Sequence, residues 1–145
     1  LKVRLLCLPF LSQSCGNEPP EREKLATEVM VIHDEAMPLM QDIIELRMQL
    51  QDMQKQAAAD SLADTDALEQ INNCIRELEA ADDAMMNWMH QYQTDLDIYT
   101  DSEAVAYLLE EKEKISAVHV QMQESIENAE ALVEKEQVRR IGNNH

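Results

Sequence analysis

Between Glu21 and Ile141 the chain contains no glycine and a single proline, Pro38. Glycine and proline are the residues that let a backbone reverse direction tightly. A stretch of this length with one of them between its ends has too little punctuation for a sheet of many short strands. It must instead run as a few long helices. The 145 residues fit one domain. Hydrophobic residues make up 45% of them and aromatics only 3%, so the core must be aliphatic.

The apolar spacing gives three segments. In the first, from about Glu21 to Ala59, Leu25, Val29, Ile32, Ala36, Leu39, Ile43, Leu46, Leu50, Met53 and Ala57 alternate at steps of four and three. These are the seam positions of a heptad helix. Pro38 interrupts it, removes one backbone hydrogen bond and predicts a kink over Asp34 to Pro38. The second segment follows candidate N-cap oxygens in Asp60-Ser61 and Asp64-Thr65. Its seam reads Leu68, Ile71, Ile75, Leu78, Asp82, Met85, Met89, Tyr92 and Leu96, with Asp82 as a carboxylate on an apolar track. The third begins at Thr100, whose spacing from Glu103 is that of a capping box. Ala104, Leu108, Ile115, Val118, Met122, Ala129 and Leu132 form its stripe, flanked by Val105, Ile126 and Val133.

Short connections make neighbouring helices antiparallel. The expected fold is all-α: an elongated, coiled-coil-like three-helix bundle, up-down-up, over residues 24–140, with a disordered tail at 141–145. The same seams would also serve a homo-oligomer.

The first residues read differently. Lys2 and Arg4 precede an apolar run from Leu5 to Leu11, and then come Ser12-Gln13-Ser14-Cys15-Gly16. A basic start, a short apolar stretch and small residues before a cleavage point are the order of a secretory signal. The run is too short to span a bilayer as a helix. A cysteine directly after the small residues resembles the lipobox of bacterial lipoproteins, although Ser12 stands where that family usually has leucine. The resemblance implies that residues 1–15 form a signal peptide ending at the lipobox cysteine. It makes Cys15 the lipidated first residue of the mature protein and residues 16–23, with Pro19 and Pro20, a tether. Cys7 would leave with the signal. Cys74 alone remains, beside the second seam, and is expected as a small buried apolar residue.

The formal net charge is −17. Phosphate backbones would be repelled, which excludes nucleic-acid binding by charge neutralisation. An anionic bilayer would not attract the body either, so membrane attachment has to come from a lipid, as on Cys15, or from an apolar segment.

No phosphate loop, nucleophile elbow or zinc motif occurs, and no catalytic residues can be assigned; the chain reads as a non-enzyme. One constellation has ligand chemistry. Met30, His33, Met37 and Met40 share a face of the first helix, and Met85, Met86, Met89 and His90 lie on the second. A hairpin turning near residue 62 brings the two clusters to one level. Thioether and imidazole are soft ligands that suit Cu(I), whereas methionine is also a common core filler. Packing and a copper site both stand as readings of these eight residues. A second set, His33, Asp34, Glu35, Glu79, Asp82 and Asp83, lacks the Glu-x-x-His pattern of di-iron bundles. Asp82 is more simply paired with Lys114 or Arg47.

Three strings carry a resemblance: Val31-Ile32-His33-Asp34-Glu35-Ala36-Met37-Pro38, Ala81-Asp82-Asp83-Ala84-Met85-Met86-Asn87-Trp88-Met89, and Tyr107-Leu108-Leu109-Glu110-Glu111-Lys112. With the Cys15 region they resemble an uncharacterised helical lipoprotein family of Bacteroidota, sometimes labelled viral A-type inclusion protein. That resemblance implies a cell-envelope location and a helical hairpin core, and it brings no residue roles. The expected function is an envelope-anchored protein-binding or spacer module, with copper binding in the periplasm as the alternative.

Overall fold

The computed structural model describes residues 20–59 and 65–143, and its secondary structure is helical throughout. Helix α1 spans Glu21–Ala36, α2 Leu39–Ala59, α3 Thr65–Gln91 and α4 Asp101–Asn143, with a single 3-10 turn at Leu96–Ile98 before α4. The expected signal, the Cys15 region, most of the tether, the Asp60 to Asp64 cap candidates and the last two residues lie outside the described residues.

Helix α1 starts at Glu21, inside the expected tether. Pro20 contributes the first carbonyl, accepting from Glu23 N–H at 2.9 Å and Lys24 N–H at 3.1 Å. Glu21 and Glu23 in the first turn face the positive end of the helix dipole. The break at Pro38 falls where its chemistry demands. Proline has no N–H to return to the Asp34 carbonyl. The Met37 N–H still reaches His33 O at 2.9 Å, and tighter bonds at 3.2 Å, Met40 N–H to Met37 O and Gln41 N–H to Pro38 O, restart the helix as α2. Together α1 and α2 form one interrupted arm.

Helix α3 ends earlier than its seam spacing predicts. Tyr92 and Leu96 continue the apolar step, but the backbone beyond Gln91 finds other partners. The Gln93 N–H donates to the Tyr107 hydroxyl at 2.6 Å, Asp95 N–H to Gln93 Oε1 at 3.3 Å, and Asp97 N–H to Asp95 Oδ1 at 3.1 Å. Side chains that bond nearby backbone compete with helix propagation. Helix α4 then opens with the expected capping box. Thr100 N–H donates to Glu103 Oε2 at 2.9 Å, and Glu103 N–H to Thr100 Oγ1 at 3.4 Å.

Polar pairs between helices fix direction and register. Arg47 meets Asp82 at 3.4 Å, and the Gln54 amide donates to Asn72, so α2 and α3 are antiparallel. Lys135 donates to Gln70 at 2.9 Å and Asn128 to Glu77 at 3.3 Å, so α3 and α4 are antiparallel too. Lys112 pairs with Glu28 at 2.7 Å and Arg22 with Asp101 at 3.6 Å, so α1 runs parallel to the start of α4. Arg140 donates to Gln56 and ties α2 to its far end. The result is the up-down-up bundle.

The core runs the length of the described helices. Val29, Ala36, Ile43, Leu50, Leu78, Met85, Leu108, Ile115, Met122 and Ala129 are fully buried. On α3 the buried track is rotated by one residue from the expected seam in three places. Ala67, Ala81 and Trp88 are buried, while Leu68, Asp82 and Met89 sit at the edge. Alanine lets the helices approach closely there, and Asp82 moves out to Arg47. Val118 is likewise only half-buried, and Glu111, Ser125 and Glu136 occupy core-side positions on α4. Each is satisfied within its own helix: Glu111 by Lys114 at 2.9 Å, Glu136 by Arg139 at 2.8 Å, and Ser125 by the Met122 carbonyl at 2.9 Å.

Two outcomes follow. Leu78→Ala, at a site with 0% exposure, should cost about 2–5 kcal/mol in urea unfolding, while Val138→Ala, at 65% exposure, should stay within about 0.5 kcal/mol. Hydrogen bonds from Thr100 hold the Glu103 carboxyl below the usual carboxylate range. A group with a depressed folded value contributes stability above its unfolded value, about 4.3, and loses it as pH falls through the lower folded value. The melting-temperature gap between the parent chain and Glu103→Gln should therefore be constant near neutrality and close on acidification through that window.

Candidate functional site

The aromatic residues are few, yet the helices gather them. The His33 ring lies 5.7 Å from Trp88, Trp88 stacks on Tyr92 at 4.8 Å, Tyr92 lies 6.2 Å from Tyr107, and Tyr107 lies 5.4 Å from Tyr99. Every Trp and Tyr of the chain is in this ladder. It crosses the end of the bundle where α3 has stopped and the 92–100 segment replaces it against α1 and α4. Burial pushes the Tyr92 and Tyr107 phenols up, and the nearby Glu111 carboxylate adds to it at both. Both hydroxyls therefore stay protonated near neutrality, and that of Tyr107 accepts the Gln93 N–H. Arg22 closes the same end with bonds to Asp97 at 2.8 Å and Asp101 at 3.6 Å. Trp88 is buried, and its indole Nε1–H has no hydrogen-bond partner.

The Met and His residues singled out by the sequence are placed by the same contacts. Met85 is fully buried in the core. Met37, Met40 and Met89 pack against the core from its edge. His33 rests on Trp88, and its Nδ1 lies 2.9 Å from Asp34 Oδ1. Met30 and Met86 are exposed, as is His90. The 5.7 Å approach of His33 to Trp88 puts the segments that carry the two clusters at one level of the bundle. They form an extended face: residues 30 to 40 alone cover about 15 Å at the helical rise. Of the acidic set, Asp34 is engaged by His33 and Asp82 by Arg47. Among the described residues no group of three or more His, Cys, Asp or Glu side chains is arranged to hold a metal ion.

A second feature was not foreseen. Gln70, Asn73, Cys74, Glu77, Asn128 and Lys135, with Ala131 and Leu132, line an open groove of mixed polarity of about 320 Å³ between α3 and α4. Cys74 is half-buried there, more open than its expected place in the core, with its Sγ 3.9 Å from the Asn128 carbonyl. Burial, reinforced by Glu77, pushes the Cys74 thiol up, so it stays protonated and weakly nucleophilic. The sequence signal for the groove was the row of amides and charges one position off the α3 seam.

Comparison with known protein families, with curated proteins and with solved structures finds no match to this chain.

Trp88 yields a test that separates its ring from its N–H. Trp88→Phe keeps most of the packing and removes an unpartnered buried donor, whose burial costs about 1–3 kcal/mol. Its unfolding midpoint should equal or exceed that of the parent chain. Trp88→Ala should lose about 3–5 kcal/mol. Urea unfolding followed by circular dichroism reads both.

Proposed function

We propose that this chain is a lipid-anchored helical rod of a bacterial cell envelope that holds a protein partner or sets a spacing, without catalysis of its own. The observation that carries the reading is the continuity of the core. Aliphatic burial runs from Leu25 on α1 to Val133 on α4, and the α1/α4 groove at Arg22 and the α3/α4 groove at Cys74 are open to solvent. Such a body offers length and surface. Enzyme sites usually need a concave pocket with convergent polar groups. Among the described residues no helix is long and apolar enough to cross a membrane. Attachment in this reading is through lipid on Cys15. The strongly acidic surface keeps the rod solvated and away from anionic headgroups.

Mass spectrometry of the native N-terminus tests the anchor. The expected result is a mature chain beginning at Cys15 with a diacyl or triacyl adduct, and release of a Cys15→Ser variant from the membrane fraction. A mature chain that keeps residues 1–14 and carries an unmodified Cys15 would overturn the envelope reading.

A further inference from the structure

The methionines outside the core all lie on one side of the rod. The chain has nine. Met53, Met85 and Met122 are buried. Of the other six, Met30, Met37 and Met40 on the α1–α2 arm and Met86 and Met89 on α3 follow the seam between the arm and α3, and Met48, one turn after Ile44, lies further round the arm beside it. The ion pair Arg47–Asp82 and the bond from Gln54 to Asn72 mark that seam. Met40 and Ile44 sit seven and three residues before Arg47, and Met86 and Met89 four and seven after Asp82. Helical neighbours at these spacings share a face. The stacking of His33 on Trp88 puts Met30 and Met37, three before and four after His33, on the same side. Met30 is 39% exposed, Ile44 37%, Met48 61% and Met86 40%.

Met37, Met40 and Met89 pack on the core edge, but Met30, Met48 and Met86 stand exposed beside them, and exposed methionine is costly surface. Flexible, polarisable thioethers suit an apolar face that must accept a partner's side chains, and methionine is enriched at interface centres. The rim of the strip is acidic. Asp34, Glu45, Glu79 and Asp83 are exposed beside it. Between Lys24 and Lys55 the only Lys or Arg is Arg47, which is tied to Asp82, and between Arg76 and Lys112 there is none. A second copy of this chain would bring the same carboxylates against them, at a net charge of −17 per copy.

We infer that the methionine strip along the α1–α2/α3 seam is a docking surface for a cationic amphipathic helix of a partner protein, whose apolar edge lies on the thioethers and whose Lys and Arg residues meet the acidic rim. The inference rests on the protein-binding reading and names its face and partner chemistry. Helix-in-groove recognition uses apolar anchors at this spacing, and the charged rim supplies orientation and a salt-dependent association rate.

The probe is a synthetic leucine–lysine peptide patterned as an amphipathic helix, titrated into the full chain and followed by Trp88 fluorescence and calorimetry. Controls are a scrambled peptide of the same composition and a leucine–glutamate counterpart. The expected result is binding of the patterned cationic peptide alone, weakened by salt. An Ile44→Ser, Met48→Ser, Met86→Ser variant should bind roughly tenfold more weakly, while Leu109→Ser with Val120→Ser, exposed on α4, should change binding less than about twofold. Circular dichroism confirms that both variants keep the parent helix content. Equal binding by the scrambled peptide, equal loss in both variants, self-association of the chain through the strip, or Cu(I) bound there with no peptide binding would each overturn the inference. If a native partner is identified and the triple substitution leaves its binding untouched, the docking surface falls while the protein-binding reading stands.

Discussion

A helix of 43 residues, α4, has an apolar edge about 65 Å long at 1.5 Å per residue, and no single neighbour in this chain is long enough to cover it. The fold is the solution to that mismatch. Helix α1 takes the first part of the edge, α2 the later part, and α3 lies antiparallel along the other side, with Glu77 and Gln70 against Asn128 and Lys135. Backbone bonding is satisfied inside each helix, so the arrangement is decided by where aliphatic surface can be hidden. Pro38 serves this arrangement: it breaks the arm between its contacts with the first and second parts of α4 and lets each half settle against its own stretch. The ion pairs between helices add little energy individually, but Lys112–Glu28 and Arg47–Asp82 each exclude a shifted register.

Most of this arrangement can be read from the residues, because helix formation here depends on local features. The missing glycines, the steps of three and four, the capping-box spacing of Thr100 and Glu103, and the absent N–H of Pro38 all act within a few residues of themselves. What the sequence hides is what depends on the neighbour. On α3 two adjacent tracks satisfy a seam pattern, one through Leu68, Asp82 and Met89, the other through Ala67, Ala81 and Trp88. Side-chain size favours the first track. Burial goes to the second, because alanine permits a close approach and Trp88 has Tyr92 and His33 to lie against. The end of α3 is hidden for the same reason. Tyr92 and Leu96 keep the apolar step, and only the hydroxyl of Tyr107, distant in sequence, takes the Gln93 N–H from the helix. Glu111 and Glu136 look like solvent-facing acids until Lys114 and Arg139, one turn along, are seen to hold them at the core edge.

The candidate site divides along the same line. The meeting of two Met/His clusters follows from the hairpin register, which is a matter of counting. Their division between core and surface depends on the rotation of each helix, which counting does not give. Met85 turns inward and Met86 outward although they are adjacent, because one residue is 100° of helix. The exposed methionines Met30, Met48 and Met86 are thereby left along an edge. A row favours an extended ligand over a single ion, since each added contact along it contributes separately.

Charge then narrows what such a ligand can be. A face rich in thioethers attracts any apolar partner, and on a neutral protein it would promote self-association. Here the carboxylates of Asp34, Glu45, Glu79 and Asp83 border it; the Arg47 guanidinium is engaged by Asp82, and that of Arg76, one turn before Glu79, donates to Asn73. Anionic partners, further copies of the chain included, must bring like charge against this exposed acidic rim, a repulsion strongest at low salt. A cationic partner relieves that repulsion while covering the thioethers. In the proposed reading, the acidity that would repel phosphate and further copies of the chain is also the term that selects for its opposite, so that specificity on this surface comes from exclusion as much as from attraction.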